Sequence, residues 1–281
     1  MNQERTAIYK RFTILTLSVL FLLSSRLSAR ENVQIITQNP QQGSMIIGQY
    51  KGLGALFFDD RVLLRNRDGY FVFGVGRDAP ETVYLTLISA AEVRDIPINI
   101  KQRAYKIEKV NGLAANKVNP RTDEEKARIK RESILIREAR KHQSQLNHFL
   151  DNFIMPSKGR ISGVYGSQRI LNGEPKNPHF GLDIANKRGT PVLAPADGVV
   201  LLTHKDMFFS GGTIVLDHGF GITSSYIHLN SIDITEGEKV KQGQKIATIG
   251  STGRSTGPHL DWRLNWFGQR LDPALLIKKA K

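Results

Sequence analysis

The 281-residue sequence contains no cysteine. That excludes a disulfide framework, a thiolate zinc finger and a cysteine nucleophile, as well as lipid attachment through cysteine. No apolar run reaches the roughly 20 residues that a membrane-spanning helix requires; the best one, Phe12 to Leu23, has 12. Acidic residues are few, with 26 Asp and Glu against 40 Lys and Arg, a formal charge of +14. Hydrophobic residues make up 40%, enough for real cores, so the chain is neither disordered nor collagen-like. Its length suits two domains of about 100–150 residues each. The positive charge suits nucleic acid, anionic lipid or an anionic polymer, and charge alone does not choose among them.

Lys10 and Arg11 precede the apolar run, and Ser24, Ser25, Ser28 and Ala29 follow it. This is the layout of a secretory signal peptide over residues 1–29, with cleavage after Ala29. The other reading is an uncleaved N-terminal anchor, which is the only way this sequence makes a membrane a partner. Export to the periplasm or cell envelope removes nucleic acid from the candidates and leaves cell-wall polymers and anionic surfaces.

Residues 30–100 read as a small β-sandwich-like module. Ser44–Ile47, Arg61–Leu64, Tyr70–Phe73 and Thr82–Leu87 are expected strands, and Arg67-Asp68-Gly69 is an expected hairpin turn. This stretch has no histidine cluster, phosphate loop or carboxylate pair, so a spacer or docking module is the plain reading. Residues 101–154 read as a linker and one long helix. Thr122 with Glu125 fits a capping box, Asp123, Glu124 and Glu125 suit a helix N-terminus, and an apolar stripe carries the helix to near Phe153.

The texture changes from 155 onward. Residues 155–281 hold 17 of the 25 glycines and 5 of the 7 histidines, and they read as a compact antiparallel β domain. Gly189–Val200 and Glu236–Gly250 each read as strand–turn–strand, a hairpin pattern shared by lipoyl and biotinyl carriers, phosphocarrier domains and certain peptidases. The overall expectation is a mainly β protein: small N-terminal sandwich, one linking helix, and a C-terminal domain with lipoyl-like hairpins.

Three segments carry candidate chemistry. In His179-Phe180-Gly181-Leu182-Asp183, strand alternation places His179, Gly181 and Asp183 on one side. Imidazole with carboxylate and no thiolate suits zinc, although a buried histidine oriented by an aspartate fits equally well. His259-Leu260-Asp261 puts two more such groups on one strand face, and Tyr226-Ile227-His228-Leu229 adds a third histidine in a β-branched, aromatic setting. A catalytic zinc needs three protein ligands, an open position and groups that manage protons. These five side chains supply both sets.

In their order along the chain these segments resemble the LytM/lysostaphin-type zinc metallopeptidases of bacterial cell walls. The resemblance covers about 155–275. Ile161-Ser162-Gly163-Val164-Tyr165-Gly166 is similar to the lead-in motif, Val215-Leu216-Asp217-His218-Gly219 to the core strand, and Gly257-Pro258-His259-Leu260-Asp261 falls where the family has His-x-His. The resemblance implies Zn²⁺ held by His179, Asp183 and Asp261, catalytic roles for His228 and His259, and an exported endopeptidase cutting peptide cross-links of peptidoglycan.

Asp261 departs from the pattern, because the family has a zinc-binding histidine there. In one reading the carboxylate still ligates, with a weaker Lewis acid as the cost, and Asp261→His remains active or gains activity. In the other the site is degenerate and the domain binds and regulates another cell-wall hydrolase. A carrier role is disfavoured, since no lysine sits at a modification tip. His218 is expected in the core, as are Trp262 and Trp266.

Overall fold

In β6 (Thr82–Ile88), every second residue is apolar, and Val83, Leu85 and Leu87 are buried while Tyr84 and Ile88 face solvent. That period of two builds the N-terminal part of the chain. The computed structural model describes residues 32–110, 122–171, 173–175 and 177–277. The expected signal peptide, 1–29, lies outside the described residues.

Seven strands form two small antiparallel sheets. One joins β1 (Gln34–Ile35), β2 (Met45–Gln49) and β5 (Tyr70–Gly74); the other joins β3 (Ala55–Phe58), β4 (Arg61–Val62), β6 and β7 (Val93–Asn99). The Arg67-Asp68-Gly69 turn is present but is not a hairpin. The strand before it pairs with β3 and the strand after it with β2. Asn66 explains the turn: its side-chain oxygen accepts from the Asp68 and Tyr70 amides, and Gly69 takes the left-handed φ of 83°.

β8 (Ile107–Val110) lies within the expected linker and pairs in parallel with β10 (Gln168–Leu171), which also pairs with β11 (Glu174–Pro175). Helix α1 spans Asp123–Lys141 with the full Thr122/Glu125 capping box. It stops well short of Phe153. At His142 the backbone turns extended, and Phe149 and Phe153 reach the core from a single 3-10 turn (His148–Leu150) and the chain after it. The apolar stripe beyond residue 141 is thus core material delivered by extended chain.

The C-terminal part is one ten-stranded antiparallel sheet. Its main path runs β17 (Lys239–Val240), β14 (Gly198–Met207), β15 (Gly211–Gly219), β16 (Ile222–Ile232), β19 (His259–Trp266), β12 (Leu182–Ala185), β9 (Arg160–Gly163). β13 (Pro191–Leu193) pairs with β18 (Lys245–Ile249), and β20 (Gln269–Leu271) with β19. The two strand–turn–strand units do not fold back on themselves. Each pairs with the other, β13 with β18 and β14 with β17.

One face of this sheet is apolar. Ile214, Leu216, Ile222, Tyr226, Leu260, Trp262 and Leu264 are buried there, and Trp266 continues the row to Phe58, 5.9 Å away between ring centroids. Both tryptophans are core residues, as expected. The cluster is continuous from Ile46 and Phe73 to Ile249 and Leu271.

His218 is also in this interior. Its Nδ1 lies 2.8 Å from the Asp197 carbonyl and its Nε2 2.7 Å from Ser224 Oγ, which meets Tyr226 Oη at 2.7 Å. The carbonyl can only accept, so Nδ1 carries the proton, Nε2 accepts from Ser224 and the ring is neutral. Burial pushes its pKa down to about 4 from 6.5. The unfolded chain therefore takes up a proton below pH 6.5 that the folded one refuses until about pH 4. Stability is expected to fall by about 3 kcal/mol on acidification across that window. Urea unfolding at a series of pH values will show the slope, and His218→Gln will flatten it.

Candidate active site

β19 carries His259 and Asp261 on the polar face of the sheet, opposite Ala185 and Asp183 of β12. His179 precedes β12 in extended chain rather than on a strand, fixed by backbone hydrogen bonds with Gly166 and Ser167. The structure still brings it to the same place. His179 Nε2 is 3.1 Å from Asp183 Oδ1 and 3.4 Å from Asp261 Oδ2. One donor atom from each of the three lies within 4.8 Å of the others. Two glycines clear the space. A Cβ at Gly181 would stand 2.0 Å from Asp261 Oδ1, and one at Gly163 would stand 2.2 Å from Asp183 Oδ2. The room left by Gly181 is thus filled by the Asp261 carboxylate.

The three histidines share one arrangement. Nδ1 of His179 faces the Val164 carbonyl at 3.2 Å, that of His228 the Thr252 carbonyl at 2.8 Å, and that of His259 the Gly257 carbonyl at 2.8 Å. Each Nδ1 therefore donates to backbone, and each Nε2 is left for the site, as in histidines held by an outer shell. The rings of His228 and His259 are 4.8 Å apart, and His259 Nε2 is 4.0 Å from Asp183 Oδ1. His228 adopts φ 67°, a left-handed conformation uncommon for a residue with a side chain. Its amide donates to the Ser210 carbonyl, which helps to hold it there. Burial lowers its pKa, so the ring is neutral and able to accept a proton.

A cation fits this donor set. His179 Nε2 and Asp183 Oδ1 are buried and close, yet neither has a hydrogen-bond partner of acceptable direction. Burial alone would lower the His179 pKa, but Asp183 and Asp261 outweigh it and hold it up, to about 10. The charge that would retain a proton there equally favours a metal ion, which competes for the same lone pair. Donors at zinc distances of about 2.0–2.2 Å around a tetrahedral ion stand about 3.3–3.6 Å apart, close to the spacings about His179.

One participant escaped the sequence reading. Arg263, two residues beyond Asp261 on the same face of β19, donates from Nε to both Asp261 oxygens at 3.1 Å and from Nη2 to Oδ2 at 2.6 Å. Burial would raise the Asp261 pKa, but Arg263 and His179 outweigh it and keep the carboxylate ionised. The available signal was the period of two, which puts 261 and 263 on one face. The pair also changes the electrostatics expected of the site. Asp261 with Arg263 is neutral as a unit, so it brings a metal no more negative charge than a histidine would.

A β domain with a buried histidine–carboxylate cluster and two further Nε2 groups beside it is a metallopeptidase type of site. The comparisons agree: the model of Peptidase family M23 matches residues 177–273, which include all five of these residues. Over this segment the chain is thus similar to the M23, LytM/lysostaphin-type, metallopeptidases. The peptidoglycan DD-endopeptidase ShyA of Vibrio cholerae is 38% identical over 125 residues, 44% of this chain and 29% of that protein. The DD-carboxypeptidase/endopeptidase Mpg of Neisseria meningitidis is 40% identical over 114 residues, 41% of this chain and 26% of Mpg. The matches span under a third of these relatives' lengths. A solved Pseudomonas aeruginosa chain provisionally assigned to peptidase M23 is 28% identical with a TM-score of 0.65, covering 85% of this chain and 95% of its own. That likeness extends well beyond the 177–273 segment.

Proposed function

We propose that the protein is an exported zinc endopeptidase that hydrolyses peptide cross-links of peptidoglycan. The observation that carries this reading is the convergence of His179, Asp183 and Asp261 beside two histidines whose Nε2 atoms are free. His179, Asp183 and Asp261 would hold the metal. Zinc, when bound, supplies Lewis acidity to the scissile carbonyl and makes water a better nucleophile at neutral pH. His228 and His259 do the proton work: neutral Nε2 of one accepts a proton, and the protonated form donates to the oxygen or leaving amine that gains charge. Their Nδ1 bonds to carbonyls keep the rings oriented throughout. The peptidoglycan activity of ShyA and the basic envelope-type sequence support the substrate and the location.

A second reading has one observation behind it. Arg263 occupies both oxygens of Asp261, as it would in a metal-free salt bridge of a domain that only binds and regulates another hydrolase. Digestion of purified sacculi separates the two. Metal-loaded protein is expected to release soluble muropeptides and to stop when the metal is chelated. Failure to release any, while an M23 endopeptidase does so in parallel, rejects the catalytic reading.

A further inference from the structure

Helix α1 ends in Arg137-Glu138-Ala139-Arg140-Lys141. Basic residues in a last turn suit the helix dipole and normally stay in water. Arg140 does not: it is the one buried residue of the helix. Ile136 and Ala139 pack against Leu202 and Val215 and so seat the helix on the polar-face side of the sheet. There Arg140 Nη2 reaches Ser225 Oγ at 3.4 Å, its Nε has no partner, and no acid pairs with it among the described residues.

Ser225 stands directly opposite Arg263 in the β16–β19 register. Asn265, the next residue on that face, stands opposite Arg270 of β20, whose Nη1 lies 3.5 Å from Asn265 Oδ1. Three guanidinium groups therefore share one patch, and among the described residues the single carboxylate paired with any of them is Asp261, already taken by Arg263. Asp272 pairs with Arg103, and Asp217 accepts from the Gly219 amide with His142 Nε2 at 3.7 Å; among the described residues neither forms an ion pair with Arg140. Burial and the neighbouring guanidiniums pull the pKa of Arg140 well down, and the same causes bring Arg270 to about 10. A buried charge without a counter-charge is costly, and a like-charged cluster more so. Arg263 and Arg270 are only half-buried, so the patch opens to solvent on their side. Planar guanidinium forks match the two oxygens of a carboxylate or phosphate. The patch begins two residues, about 7 Å along a strand, from Asp261.

We propose that Arg140, Arg263 and Arg270 form an oxyanion subsite that takes a free carboxylate of the peptide substrate. The choice of a peptide carboxylate rests on the endopeptidase reading; the oxyanion site itself does not. The test uses the full chain and no turnover. Thermal unfolding is measured in chloride and in inorganic phosphate at equal pH and ionic strength, for the wild type, Arg140→Met and Arg270→Gln. Phosphate is expected to raise the wild-type Tm, and both variants to lose that increment. Arg140→Met should also melt above the wild type in chloride, since an uncompensated buried charge is gone. Calorimetric titration with an N-acetylated D-Ala-D-Ala peptide and its C-terminal amide then identifies the source. The carboxylate form should bind at least about tenfold tighter to the wild type, displace phosphate and lose this advantage in Arg140→Met. Equal phosphate increments in all three proteins overturn the subsite. A phosphate effect confined to the wild type, with carboxylate and amide peptides binding alike, overturns the peptide assignment. Either result is independent of whether sacculi are cut.

Discussion

Asp261→Ala is expected to cost about 3–5 kcal/mol of folding stability and to abolish stoichiometric metal binding. The stability loss follows from Arg263. Asp261 is buried, and its bonds to the guanidinium are short. Removing the carboxylate leaves Arg263 charged and part-buried beside Arg140 and Arg270, and an orphaned partner of a buried pair is strongly destabilising. The metal loss follows from the triad, which is left with two donors. Denaturant unfolding and metal analysis of the purified full chain check the two halves separately. The same logic revises the expectation for Asp261→His. A neutral imidazole would face Arg263 without its counter-charge, so this variant is expected to be destabilised and less active. Adding Arg263→Gln should recover much of the loss. Recovery of that kind would show that Asp261 and Arg263 act as one unit; equal behaviour of the single and double variants would show that they do not.

His228→Ala and His259→Ala are each expected to lower kcat by about 10²- to 10⁴-fold while leaving metal content unchanged. Both rings give Nδ1 to a backbone carbonyl, and neither is within hydrogen-bond reach of the triad atoms described. Their loss removes proton transfer and charge stabilisation, and the three donors stay. The substrate for the assay is a purified cross-linked muropeptide, and metal is measured on the same samples. A variant that loses metal along with activity would place that histidine in the binding set. His228→Gly should fold at least as well as His228→Ala, because glycine adopts φ 67° freely and alanine does not.

The site was legible because its chemistry is carried by residue types that are scarce and by spacings that survive folding. His259 and Asp261 alternate on β19 as the sequence implies, and the capping box at Thr122 is a local feature that no tertiary contact has to supply. His179 reached its place without the strand expected of it, since loop chain held by Gly166 and Ser167 serves as well. Pairing was the illegible part. Sequence shows that Gly189–Val200 and Glu236–Gly250 contain strands; which strands share hydrogen bonds depends on distant segments, and so the hairpins became crossed pairs. The end of α1 is hidden from sequence for a related reason. Leu146, Phe149 and Phe153 fit a helical stripe, but they answer to a core that calls for them in extended chain. Residue type does not single out Arg140 or Arg263, because arginine in a basic chain looks like surface; burial marks Arg140, and the two-residue step along β19 from Asp261 marks Arg263.

Trp266 packs against Phe58, Gly74 lies against Trp266 and Leu271, and Arg103 bonds to Asp272. The N-terminal sheets therefore wall in the apolar face of the sheet that bears the candidate active site. The segment that matches a peptidase family is thus shorter than the segment that shares one core. A cut at residue 155 would turn an interior into a sticky exterior, and the shortened protein would self-associate before its chemistry could be measured. In this chain the part that resembles a peptidase travels with its own cover, and shuffling it into another protein would require carrying that cover along.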